Sequence, residues 1–306
     1  MLEFRVRCGF RLAALLVLVL VPHDGHAAPR RALFDNAHAQ QAGNADWVID
    51  DQQPEPRPSD TGIVARTDGE YWTGAISTWG VELAKRGFSV RTNDRPVTFG
   101  DRANPLDLAG FDVFIVPEPN RRFAASEARA ILAYVSAGGG VVLVGDHERS
   151  DRDRDGDDAP RILNALDPDR VLGVHWGSTG DADANITQTS RNIAPDGRLT
   201  VGPAGRVTAL EFHNGTTLTL DTRANPSVRG EVWLSGVRRG GPAGAMAASS
   251  TYGRGRAAFI GDSSVIDDGS ATPGNRNIYD GWNEAGGSNG RLTLNATLWA
   301  ARTRRP

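Results

Sequence analysis

Phe111-Asp112-Val113-Phe114-Ile115-Val116, the segment Ser126 to Ala137, Gly138-Gly139-Gly140 and Val141-Val142-Leu143-Val144 form the stretch that decides the fold. The two short runs are apolar at nearly every position, so neither face of either strand can be left to water. Ser126 to Ala137 reads as a helix with Ser126 at its N-cap, and the three glycines end it. Strand, helix, strand, with both strands buried on both faces, call for a parallel sheet covered by helices on its two sides.

The same grammar extends outward in both directions. Upstream, Arg31 to Asp35 is a short apolar strand, and Trp72, Ile76, Trp79 and Leu83 fall near helical spacing in Tyr71 to Arg86. That helix stops at Gly87, and Phe88 to Arg91 is the next strand. Downstream, Ala257 to Ile260 is the last core strand and Arg291 to Ala301 the closing helix. Between them, residues 147–255 break the pattern, first as an irregular acidic stretch and then as a β-rich insertion of short alternating runs. In this part Val207 to Phe212, His213-Asn214-Gly215 and Thr216 to Leu220 read as a hairpin, because Asn-Gly supplies the positive φ angles of a tight turn.

The N-terminus addresses the compartment. Arg5, Arg7 and Arg11 precede an apolar run from Leu12 to Val21, and Gly25-His26-Ala27 offers the small residues of a cleavage site. The run is half the roughly 20 residues that span a bilayer, so residues 1–27 are expected to be a signal peptide, with no stable membrane insertion after cleavage. Residues 28–306 then form a single domain, secreted or periplasmic in a bacterium. Cys8, the one cysteine of the chain, leaves with the peptide. The whole chain has a formal net charge of −3 and a single lysine, Lys85, and no basic patch supports a nucleic-acid partner. No nucleotide cofactor is expected.

Tyr252-Gly253-Arg254-Gly255-Arg256, followed by an apolar strand and Gly261-Asp262-Ser263, resembles the closing strand of class I glutamine amidotransferase-like domains. The opening Leu33 to His38, with Ala42 to Trp47, is similar to secreted bacterial proteins of that superfamily, in the non-amidotransferase branch that includes GIFT-type domains. The resemblance implies a flavodoxin-like three-layer α/β sandwich. Active members of the superfamily carry a nucleophilic cysteine at the turn after a central strand, whereas Val141 to Val144 runs here into Gly145-Asp146-His147. A thiol mechanism is therefore excluded.

In open α/β sheets ligands bind beyond the C-terminal ends of the strands. Asp35 with His38, Asp146 with His147, and Asp262 stand at three such ends. Two imidazoles and several carboxylates are the donors of a divalent cation such as zinc or manganese. Asp35, His38, Asp146, His147 and Asp262 are thus expected as metal ligands, with Asp146, His147 and His38 as catalytic groups. Asp151, Asp153 and Asp155 add the D-x-D-x-D-G spacing of a calcium loop, although position twelve is Ile162 where a bidentate acid belongs. Trp47, Tyr279 and Trp282 are expected at a ligand rim, since aromatic rings beside carboxylates suit sugars. Two functions remain open from the sequence: a metal-dependent hydrolase, or a non-catalytic domain that binds a small molecule or glycan and holds a structural cation.

Overall fold

The computed structural model describes residues 28–177, 185–271 and 279–301. The expected signal peptide, residues 1–27, lies outside them. Five parallel strands form the centre of a twisted sheet. They are β1 (Arg30–Asp35), β2 (Phe88–Asn93), β3 (Val113–Pro117), β4 (Gly140–Val144) and, far along the chain, β14 (Gly255–Ile260). Their spatial order is β2-β1-β3-β4-β14. This is the flavodoxin-like doubly wound order, with the chain reversing direction across the sheet between β1 and β3.

The continuous apolar runs are explained by where alternate residues go. Phe34, Ile115, Val142 and Ile260 face one core, together with Trp79 and Leu83 of helix α1 (Ser77–Lys85) and Leu292 and Ala296 of α4 (Asn289–Ala300). Their neighbours Leu33, Phe114, Leu143 and Phe259 face a second core, with Ile131 and Val135 of α2 (Ala125–Ser136) and Leu163 and Leu166 of α3 (Ala159–Leu166). Because side chains alternate across a strand, a sheet with helices on both faces needs apolar residues at every position. The three-layer sandwich follows.

Beyond β14 the sheet changes character. The antiparallel strand β13 (Ala245–Tyr252) joins β14, and β11 (Leu218–Leu220) and β5 (Val174–Trp176) continue the edge. Strand β12 (Arg229–Trp233) also pairs with β13, and β7 (Asn192–Ile193) with β12. The β-rich part of residues 147–255 is therefore stitched onto the central sheet. Separate short pairs are β6 (Ile186–Ser190) with β10 (Leu210–Gly215), and β8 (Val201–Gly202) with β9 (Gly205–Arg206). Among the described residues no helix is long and apolar enough to cross a membrane.

Four local expectations are corrected. Helix α1 begins at Ser77, not Tyr71, because the backbone before it is used elsewhere: Gly74, Ala75 and Ile76 donate to Ile49, Asp46 and Val48 carbonyls. At Gly74 a β-carbon would lie 1.9 Å from the Val48 carbonyl oxygen, so the approach requires glycine. Ser126 does not cap α2. Ala124 stands at the N-cap, and the Glu127 carboxylate takes the Ala124 amide at 2.7 Å. The acidic stretch contains α3, capped by Asp158 accepting from the Arg161 amide. Finally, Asn214-Gly215 does not turn a hairpin. β10 pairs with β6 while β11 pairs with β5 and β13, and the positive φ of Asn214, 72°, makes a bulge inside β10.

Candidate functional site

The C-terminal ends of β3, β4 and β14 each deliver an acid. Glu118 follows β3, Asp146 follows β4 through Gly145, and Asp262 follows β14 through Gly261. Glu118 and Asp262 are wholly buried and Asp146 nearly so. Strand register fixes this convergence: Pro117 lies opposite Val144, and Leu143 and Val144 lie opposite Phe259 and Ile260.

Arg152 holds two of these acids. Its guanidinium donates to both Glu118 carboxylate oxygens and, at 2.7 Å, to Asp146 Oδ2. A third branch reaches Asn44 Oδ1 at 2.6 Å. Burial disfavours the charged guanidinium, but the two carboxylates outweigh it and raise the Arg152 pKa above its ordinary value. Burial pushes Asp146 well above the usual carboxylate range, with repulsion from Glu118 and Asp262 adding to it and Arg152 opposing it. Asp262 is raised by burial to about 7 even though it accepts the Ser264 and His213 amides. The bulge at Asn214 is what brings the His213 amide to Asp262; a β-carbon on Gly215 would fall 2.6 Å from the Asp262 Cβ.

Above these acids opens a cavity of about 330 Å³ whose wall includes Trp47, Asp146, His147, Arg152, His213 and Tyr279. His147 is turned by its Nδ1 contact of 2.7 Å with the Glu148 carbonyl, and its Nε2 lies 3.9 Å from Asp146. The His213 and Tyr279 rings stack at 4.5 Å between centroids, 11° from parallel, and the Tyr279 hydroxyl donates to Glu211 at 3.3 Å. Asp267 also lines the cavity, accepting the Gly269 and Tyr279 amides, and burial raises it to about 7. Trp47 is 7% exposed, and its indole N–H is buried with no hydrogen-bond partner among the described residues.

Of the residues expected from the sequence, Asp146, His147, Trp47 and Tyr279 come together at this cavity, with Asp262 beneath it. Asp35 and His38 do not join them. His38 Nδ1 lies 2.7 Å from Asp35 and Nε2 3.4 Å from Glu127, and its ring packs on Phe123. Asp35 additionally accepts from Gln40 and Asn93 side chains. Burial opposes a charge on His38, but Asp35 and Glu127 raise its pKa to about 9. Both ring nitrogens are engaged, so this pair ties the β1 loop to α2 and lies outside the cavity wall. Trp282 is partly buried against the core beside Gly290 and is not among the residues that line the cavity.

The five-residue metal set is not convergent either. Among the described residues, the group of three or more acids or imidazoles whose ligand atoms all lie within 4.8 Å of one another is Asp151, Asp153 and Asp155. Glu118, Arg152 and His213 stand at the site without having been expected there from the sequence. Glu118 was within reach of the strand-end argument that found Asp146, since Val116-Pro117-Glu118 ends an apolar strand in the same way. Nothing in the sequence marks Arg152 among its neighbours, because its role depends on a loop folding back over two strand ends.

Fold and site together define a flavodoxin-like α/β sandwich with an acid-based cleft at its strand ends and, among the described residues, no cysteine. No family model matches the chain, and no curated protein matches it in sequence. Solved structures do. The mmIFT52 N-terminal domain is 13% identical, with a TM-score of 0.55 over 90% of this chain and 99% of that one. The cytoplasmic protein STM1381 from Salmonella typhimurium LT2 is 12% identical, with a TM-score of 0.51 over 90% and 100%. A protein of Parabacteroides merdae described as ThuA-like is 12% identical over 91% and 93%, with a TM-score of 0.43. At these identities the first two likenesses support the fold alone.

Proposed function

We propose that the chain is an exported, non-catalytic ligand-binding domain of the GIFT-like, non-amidotransferase branch, whose strand-end cleft takes a carbohydrate. Trp47 carries the reading: a nine-tenths buried tryptophan in the cavity wall whose indole N–H has no hydrogen-bond partner among the described residues. An unpaired buried donor costs about 1–3 kcal/mol, which a ligand oxygen would recover. The stacked His213 and Tyr279 rings supply an apolar face, and Asn44, Ser264 and Asp267 in the same wall supply groups for hydroxyls.

A metal-dependent hydrolase built on Asp146 and His147 is the weaker reading. The cation that Asp146 meets is Arg152, which also holds Glu118, so a metal would have to displace a buried guanidinium. The Asp151-Asp153-Asp155 loop is better suited to an ion. Its ligand atoms cluster within 4.8 Å, one Asp153 oxygen is buried with no partner among the described residues, and a carboxylate set of this kind suits a hard cation such as calcium. An ion there would fix the loop that carries Arg152.

Titration calorimetry of the mature protein against mono- and disaccharides tests the proposal. Saturable binding that Trp47→Phe weakens supports it. Absence of binding, together with turnover of a chromogenic ester or glycoside that a chelator stops, would return the hydrolase reading to first place.

A further inference from the structure

We infer that the ligand of this cleft carries a protonated amine, so that an amino sugar is preferred to its neutral or acidic counterpart. The inference rests on the carbohydrate reading of the same cleft and deepens it.

The charge pattern of the site is lopsided. Glu118, Asp146, Asp262 and Asp267 lie in or directly beneath the cavity wall, whereas the wall has one guanidinium, Arg152, bound to the first two. Among the described residues, Asp262 and Asp267 receive only amide and hydroxyl partners. Among the described residues neither has a cationic side chain within ion-pair distance. Both are held toward the neutral form by burial, the condition that a nearby cation relieves.

Three further observations favour an ammonium group over a metal ion. The acids of the cleft do not bring three ligand atoms within 4.8 Å of one another, as the Asp151 loop does, so they make no cage for a bare ion. An ammonium needs only one or two carboxylates and keeps its remaining hydrogens for other acceptors. The second is the stacked His213–Tyr279 pair, which offers a ring face of the kind that attracts cations. The third is size: about 330 Å³ stands at the small end of ligand pockets and fits one sugar ring better than a chain. Trp47 Nε1 then donates to a ring or hydroxyl oxygen, leaving the amine for Asp267.

The test is calorimetry at pH 7 of the full mature protein against glucosamine and galactosamine, glucose and galactose, their N-acetyl forms, and glucuronate and galacturonate. The amino sugars should bind at least about tenfold more tightly than the parent sugars, a difference of about 1.4 kcal/mol, and the acids should bind least. Asp267→Asn should bring amino and parent sugars to within about threefold of each other, by weakening the amino sugars far more than the parent sugars. Trp47→Phe should weaken all of them alike. If Asp267→Asn does not fold, acetylation of the amine replaces it, and the N-acetyl forms should bind like the parent sugars. Sugars bound without preference for the amine would overturn this inference and leave the carbohydrate reading standing. No sugar bound at all would overturn both.

Discussion

Removing the guanidinium from Arg152 should unsettle the whole strand-end edge, and the size of the effect follows from what it leaves behind. Arg152 lies with its side chain 15% exposed between Glu118, wholly buried, and Asp146, 4% exposed. Arg152→Met keeps most of the side-chain volume but strands two carboxylates in a low-dielectric site, a loss of about 3–5 kcal/mol when one member of a buried pair is taken away. For a chain of this length each kcal/mol is worth roughly 2–4 °C, so the melting temperature at pH 7.5 should fall by roughly 6–20 °C. The penalty should also depend on pH. In the variant Asp146 loses the cation that opposes the effect of its burial, so it holds its proton to higher pH in the folded state than in the unfolded one. The folded state then binds more protons, and stability rises as pH falls. Thermal unfolding of both proteins from pH 5 to 8 should therefore show the gap narrowing toward pH 5. A loss under about 1 kcal/mol at pH 7.5, or a gap that is flat with pH, would refute the claim that Arg152 neutralises these acids.

The remaining tests are independent of that one. His38, raised to about 9 from 6.5, contributes on the order of 3 kcal/mol that is fully present below pH 6.5 and lost as pH rises through 9. Urea unfolding at pH 6 and 9.5 should show that loss in the wild type and a flatter profile in His38→Gln; equal slopes would dismiss the pair. Calcium should raise the melting temperature of the wild type and leave Asp153→Ala unmoved, and chelator should reverse the gain. Asn214, at φ 72°, should tolerate Asn214→Gly but lose about 1–3 kcal/mol as Asn214→Val, because a β-branched side chain resists that backbone region. Phe114→Ala, in the core between β3 and α2, should cost about 3–5 kcal/mol by unfolding without altering the order of sugar affinities.

The layered α/β sandwich is legible in the amino-acid pattern alone. Val113 to Val116 and Val141 to Val144 are apolar at consecutive positions, and only burial of both faces accounts for that. The pattern also placed acids at the ends of the strands, since Asp146 and Asp262 each follow such a run after a single glycine. Which of those acids meet was not legible. Asp35 belongs to the same class of strand end, yet it spends its oxygens on His38, Gln40 and Asn93, while Glu118 takes the place beside Asp146. The positive φ that Asn214-Gly215 signals is present, but in a bulge and not in a turn, because a left-handed residue serves a bulge or a hairpin equally well and strand pairing decides between them. Arg152 sits in a run of alternating aspartates and arginines, where every local pairing is available. Tertiary structure chose Arg152 because buried carboxylates on two adjacent strands bind a guanidinium more strongly than exposed acids on its own loop.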